Sequence, residues 1–134
     1  MRQFTDALPP LYIDGGQLQQ ALLNLVLNAE QAMTSAPTKR LEVTARFDAE
    51  CGAVVISVAD SGHGIEASNL ARVFDPFFTT RGVGEGTGLG LSIVYGIVRD
   101  HGGQVIVTSE VGVGTTFFIR LPVRSPLVEG RRPP

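Results

Sequence analysis

From Leu18 to Met33 the chain repeats its apolar residues at helical spacing. Leu11-Tyr12-Ile13 leads into Asp14, a side chain suited to cap a helix. A long helix is predicted over 17–34, stopping before Pro37. At ~100° per residue, Gln17, Gln20, Asn24, Asn28, Gln31 and Ser35 share one arc of about 80°. Most of the remaining circumference is Leu, Val, Ala and Met, broken by Gln19 and Glu30. A surface helix carries a wide charged face. A narrow, uncharged, amide-rich stripe predicts instead a helix buried on most sides, with Asn24 and Asn28 lining a site. Asn is a poor mid-helix residue unless it has a task. The plainer alternative is a solvated stripe that happens to lack charge.

The pattern then changes to strands. Leu41, Val43, Ala45 and Phe47 alternate with Glu42, Thr44 and Arg46, as a half-buried strand should. Residues 48–52 read as a turn. Ala53 to Ala59 is almost continuously apolar and runs into Asp60, which predicts a central strand delivering Asp60 to a cleft. A short helix is expected over 66–72 and a loop over 73–87. A second clear helix runs over 88–100, with Leu89, Ile93, Val94, Ile97 and Val98 on its inner face, ended by Gly102-Gly103. Residues 104–108 and 115–121 form a hairpin around Gly112-Val113-Gly114. Residues 2–13 hold one or two short strands broken by Pro9-Pro10, giving about six strands in all. The domain covers 1–122, and 123–134 is a flexible tail or linker. The fold class is α+β: a two-layer α/β sandwich whose mixed, mostly antiparallel sheet has its helices packed on one face.

Composition narrows the chemistry. The chain has 134 residues, enough for one domain with a sizeable core. With 18% charged residues and a net charge of −2, it has no broad basic field for nucleic acid or an anionic membrane. No apolar run approaches the ~20 residues of a membrane span. The single Cys51 forms no internal disulfide, which suits a reducing cytoplasm. Most of the 16 glycines lie after residue 60. They cluster at Gly62-His63-Gly64 and at Gly86-Thr87-Gly88-Leu89-Gly90, the second opening a helix. Glycine lets backbone N–H groups approach phosphates, and a helix N-terminus adds partial positive charge. Two such clusters around the run Phe74-Asp75-Pro76-Phe77-Phe78 predict one nucleotide cleft with a mobile cover.

Four blocks stand in order: NLVLNAEQAM, DSGHGI, VFDPFF and GTGLGLSIVYGIV. This combination resembles the catalytic ATP-binding domain of sensor histidine kinases. Its fold, called Bergerat or GHKL, also serves DNA gyrase, a heat-shock chaperone and mismatch-repair ATPases. The final SEVGVGTTFFIRLP resembles the last hairpin of these kinase domains, so the resemblance covers about residues 2–122. The FFTT and QAM variants look most like the nitrogen- and oxygen-sensing subfamily.

The resemblance implies roles. Asn28 stands at the family's Mg²⁺ ligand, and an amide oxygen is a suitable hard donor. Asp60 stands where the adenine amino group is accepted; the plain alternative is a strand-end cap. Gly62, Gly64 and Ile65 form the turn at the base. Gly86, Thr87, Gly88, Leu89 and Gly90 form the phosphate-side turn and helix start, with Gln31, Thr79 and Thr80 also at the nucleotide. Phe74, Phe77 and Phe78 are expected to pack and to anchor the lid. Arg81 stands where relatives often carry Lys, placed to neutralise γ-phosphate charge; a solvated arginine is the alternative. Gln31-Ala32 replaces the Lys-Tyr of many relatives, which puts one phosphate contact and one cap over the nucleotide in question.

Asn24 falls where the gyrase and chaperone ATPases carry a water-activating Glu. The implied function is transfer of the γ-phosphoryl of ATP-Mg to a histidine on a separate helical dimerisation domain. A response regulator would act downstream, in the cytoplasm, even where the parent protein is membrane-anchored. No contact with nucleic acid or membrane is expected. Neither His63, inside a Gly-x-Gly turn, nor His101, at a helix end where the dipole favours a cation, resembles the phosphoacceptor. The chain therefore reads as the catalytic part of a larger protein. The rivals are a GHKL-type ATPase, a serine kinase of the anti-sigma type and a non-catalytic nucleotide-sensing domain.

Overall fold

A computed structural model of the chain describes residues 2–4, 14–50, 52–75 and 90–123. In chain order they form β1 (Arg2–Phe4), α1 (Gly15–Ala32), β2 (Leu41–Asp48), β3 (Ala53–Asp60), α2 (Ala67–Leu70), α3 (Gly90–Asp100), β4 (Gln104–Glu110) and β5 (Gly114–Pro122). The five strands make one sheet in the order β1-β2-β3-β5-β4. β1 runs parallel to β2, and every other neighbouring pair is antiparallel. The expected α+β layering is what forms, with five strands among the described residues rather than about six.

Period-two alternation explains the core. Val54, Ile56 and Val58 of β3 and Phe117, Ile119 and Leu121 of β5 meet Ala21 and Leu25 of α1 and Val94 and Val98 of α3 in one cluster. β3 is almost wholly apolar because its other face is covered too. Val55 is buried there between its cross-strand neighbours Arg46 and Arg120, whose aliphatic stems suit that task. On the same outer face the Thr44 and Ser57 hydroxyls hydrogen-bond across β2 and β3.

The helices depart from expectation in instructive ways. α1 begins two residues early, because the Asp14 carboxylate accepts from the Gly16 and Gln17 N–H groups at 3.0 and 3.2 Å. It ends at Ala32, and residues 33–35 turn away. It is not buried on most sides. Ala21, Leu25 and Ala29 are its buried residues, while Leu23 and Leu27 are 54% and 45% exposed. A helix lying on one face of a two-layer fold has only one side to bury. On α3 the inner positions belong to Val94 and Val98, flanked by Leu91 and Ile97, and Ile93 points outward. Phe74 does pack: it stacks on Tyr95 with ring centroids 5.5 Å apart and sets its edge to Phe117 at 6.1 Å.

Phe117 therefore joins the sheet, α3 and the segment after α2. Phe117→Ala should lower the unfolding free energy by about 3–5 kcal/mol, through lost transfer energy and an unfilled cavity. Urea unfolding followed by circular dichroism checks this; a midpoint unchanged from the parent domain would contradict the packing.

Candidate functional site

The site grows from the last residue of β3. The alternation that turns Val54, Ile56 and Val58 toward the helices turns Asp60 the same way. Its cross-strand partner on β5 is Thr115. Asp60 is 8% exposed, yet its polar atoms are met. The Gly62 N–H donates to Oδ1 at 2.8 Å. Burial pushes the carboxyl above its ordinary value, opposed by N–H donation from Gly62 and Thr115 and by the nearby His63. A carboxylate has about four acceptor positions. Two backbone donors leave room for a ligand amino group.

The turn after Asp60 is tied on three sides. Toward α1, the His63 N–H donates to the Ala32 carbonyl at 3.2 Å. A Cβ on Gly62 would stand 2.5 Å from that same oxygen, so no side chain fits. Toward β2, Ser61 Oγ accepts from the Arg40 N–H and donates to the Thr38 carbonyl, both at 2.8 Å. Toward the β4–β5 hairpin, the Gly112 N–H donates to the His63 carbonyl at 2.9 Å. The Ile65 N–H donates to Ser109 Oγ at 2.7 Å, and Ser109 also bonds the Thr115 hydroxyl at 2.8 Å. Gly64 has φ +82°, and a Cβ there would lie 2.5 Å from the Glu110 carbonyl oxygen. Close backbone approach and a left-handed residue both require glycine.

α1 supplies the other wall. Asn28 lies one turn before Ala32 and Asn24 two turns before it, both half-buried. Asn24 Nδ2 donates to the carbonyl of Gly90, the first residue of α3, at 3.5 Å. The turn after Asp60 thus abuts the end of α1, and the start of α3 lies eight residues back, at Asn24 (32 − 24). At ~1.5 Å per residue the two are about 12 Å apart along the helix. That is an elongated site with a carboxylate at one end and a helix N-terminus at the other.

Sequence reasoning placed Asn24, Asn28, Asp60, Gly62, Gly64, Ile65 and Gly90 in one region, and the fold brings them together. Gln31 is exposed near the end of α1, and Ile65 packs its side chain against the core. Thr79, Thr80, Arg81, Gly86, Thr87, Gly88 and Leu89 lie outside the described residues, as do Phe77, Phe78 and most of the expected cover. Sequence reasoning missed Ser61, Ser109 and Thr115. Only the β3–β5 register sets Thr115 opposite Asp60, and those strands are not neighbours in the chain.

Residues 13–125 match the family described as histidine kinase-, DNA gyrase B-, and HSP90-like ATPase. The chain belongs to this family. The domain is similar to sensor kinase CckA of Brucella abortus, 46% identical over an alignment of 124 residues, covering 84% of this chain and 13% of that protein. It is similar to sensor histidine kinase ZraS of Escherichia coli, 50% identical over 119 residues, 88% of this chain and 24% of that protein. It thus spans a quarter or less of these relatives' length.

Among solved structures it resembles the nucleotide-free catalytic domain of histidine kinase ThkA, with a TM-score of 0.76 and 31% identity, covering 91% of this chain and 76% of that one. It also resembles full-length ShkA in complex with AMPPNP, with a TM-score of 0.75 and 35% identity, covering 90% of this chain and 24% of that one. The domain is a nucleotide-binding domain of the Bergerat fold, homologous to sensor histidine kinases.

The buried carboxyl gives a pH test. A folded-state value above the ordinary one means that, between the two, the folded domain holds more protons than the unfolded chain. Stability then falls as pH rises through that window, and at neutral pH the ionised carboxylate costs stability. Without nucleotide, Asp60→Asn should match or exceed the parent domain's thermal midpoint at neutral pH, and the parent should gain on it in acid. A parent domain that instead gains on the variant as pH rises would place the charge in a stabilising setting.

Proposed function

We propose that the domain binds ATP with Mg²⁺ and presents the γ-phosphoryl to a histidine on a helical dimerisation domain of a longer sensor kinase. The observation that carries this reading is the buried Asp60 carboxylate, with spare acceptor capacity, about 12 Å along α1 from the start of α3. A carboxylate accepts from the exocyclic amino group of adenine, whereas guanine presents a carbonyl there. The glycines at 62 and 64 admit the base plane close to the backbone. The phosphates then extend along Asn28 and Asn24 toward the start of α3 and the preceding glycine run.

Asn28 suits Mg²⁺. Its amide oxygen is a hard, neutral ligand, and an ion that keeps waters and takes phosphate oxygens needs few protein ligands. Bound there, the ion neutralises charge on the transferred group. Arg81 serves the same end from the lid. Asn24 is a neutral amide engaged with the Gly90 carbonyl. It cannot take a proton from water at useful pH, so hydrolysis stays slow and the phosphoryl waits for a better nucleophile. This favours a kinase over a hydrolase of the same fold.

A response-regulator aspartate would receive the phosphoryl next. We take residues 1–122 as the catalytic domain and 123–134 as a tail or linker. We place the domain in the cytoplasm, where ATP is available. No helix among the described residues is long and apolar enough to cross a membrane.

Calorimetry should show ATP binding to the domain alone, with GTP much weaker and Asp60→Asn impaired. Equal affinity for ATP and GTP would count against the assignment of Asp60. With labelled ATP the domain by itself should turn over only traces and gain no stable phosphohistidine, yet label its helical partner domain. Rapid multiple-turnover hydrolysis abolished by Asn28→Ala would reject the kinase reading.

A further inference from the structure

His101 follows the last residue of α3, and its ring makes two hydrogen bonds of opposite sense. Nε2 lies 3.0 Å from the backbone nitrogen of Asp14, the residue that caps α1. Nδ1 lies 2.8 Å from the carbonyl oxygen of Ile97, in the last turn of α3. The Asp14 nitrogen donates its N–H, so Nε2 must be the bare nitrogen. The ring proton is then on Nδ1 and is donated to Ile97. Each nitrogen has only one role available, so the geometry selects the neutral ring and one tautomer. The cation that a helix C-terminus would favour is not the form that fits.

This contact lies at the far end of the α1–α3 pair from the nucleotide site. The helices meet again where Asn24 donates to the Gly90 carbonyl. From 14 to 24 is ten residues and from 90 to 101 is eleven, so the helices run antiparallel. At ~1.5 Å per residue the two paths are about 15 and 17 Å, closely matched. Between the ties, Ala21 and Leu25 face the same core as Val94 and Val98. Ala21, Val94 and Val98 let the helices pack closely, and a directional bond at each end adds to that packing in fixing their position along the axis.

We infer that His101 is a positioning residue for the nucleotide site: its neutral ring clasps the start of α1 to the end of α3 and so fixes where Asn24 and Asn28 stand relative to the start of α3. The inference rests on the nucleotide-binding reading above. Releasing the clasp lets the helices slip, and the amides lose register with the phosphates.

Two variants separate the clasp from ordinary helix capping. His101→Lys keeps a donor for Ile97 and a charge that suits a helix C-terminus, but removes the acceptor. His101→Gln keeps an acceptor of similar reach. With Mg²⁺ and AMPPNP in calorimetry, H101K should bind about three- to tenfold more weakly, the size of one hydrogen bond, and H101Q should stay close to the parent. The free H101K domain should stay folded and lose only the little thermal stability that one exposed hydrogen bond supplies. Equal affinity in H101K and the parent overturns the clasp, whereas a parent domain that binds no AMPPNP overturns the nucleotide reading instead.

If H101K folds poorly, the parent domain carries the test. By reciprocity, nucleotide must strengthen whatever strengthens nucleotide binding, so exchange of the Asp14 amide should slow when AMPPNP binds. Unchanged exchange overturns the inference. Nitrogen NMR of the free domain should show His101 protonated on Nδ1 and bare on Nε2, and the opposite tautomer overturns it as well.

Discussion

A carboxylate held out of water at the end of the central strand is the constraint around which this domain is arranged. Left unpaired, such a group would be prohibitively costly. Asp60 is tolerated because the chain reverses within two residues and returns the Gly62 N–H to it, while β5 brings Thr115 alongside. That reversal needs glycine where the backbone brushes Ala32 and Glu110. It also needs the serine hydroxyls of Ser61 and Ser109 to occupy donors and acceptors that a turn otherwise leaves open. The end of α1, the approach to β2 and the β4–β5 hairpin are therefore fastened to one five-residue turn. The site is preorganised by the bonds that make a buried charge acceptable. Burial keeps water from competing for the remaining acceptor positions, where the proposed reading puts the adenine amino group.

How much of this was legible depends on the distance over which each feature is encoded. The Asp14 cap, the two helices, the strand ending at Asp60 and the hairpin over 104–121 are local patterns. Each appears within a residue or two of its expected place. The error over α1 came from reading composition as burial. Leu23 and Leu27 are apolar but lie on the side away from the sheet, and no periodicity can tell a second buried face from an exposed one. In the site, Asn28, Asp60 and the glycines were readable because their order matches a known family. Ser109 and Thr115 were not, since their meaning depends on β5 inserting between β3 and β4. His101 was seen only as a helix end, because its partner lies 87 positions away.

The distribution of charge along α1 fits the proposed cargo. The helix carries one ionisable residue, Glu30, and it is exposed, some 160° around the axis from Asn28 at ~100° per residue. On the cleft side stand Gln17, Gln20, Asn24, Asn28 and Gln31, all neutral amides. A carboxylate among them would face a polyphosphate in a partly desolvated cleft. Like charges a few ångströms apart repel there far more strongly than in bulk water.

Amides avoid that repulsion, since they donate or accept as the ligand requires and add no net charge. The negative charge the site does hold, Asp60, sits beyond the end of α1, about 12 Å along the helix from Asn24, where the neutral base and its amino group are expected. If the domain binds ATP as proposed, neutralising the phosphates falls to the metal and to Arg81 rather than to α1. On the proposed reading, the described half of the site would recognise and align the nucleotide, and the charge that lowers the barrier would come from elsewhere.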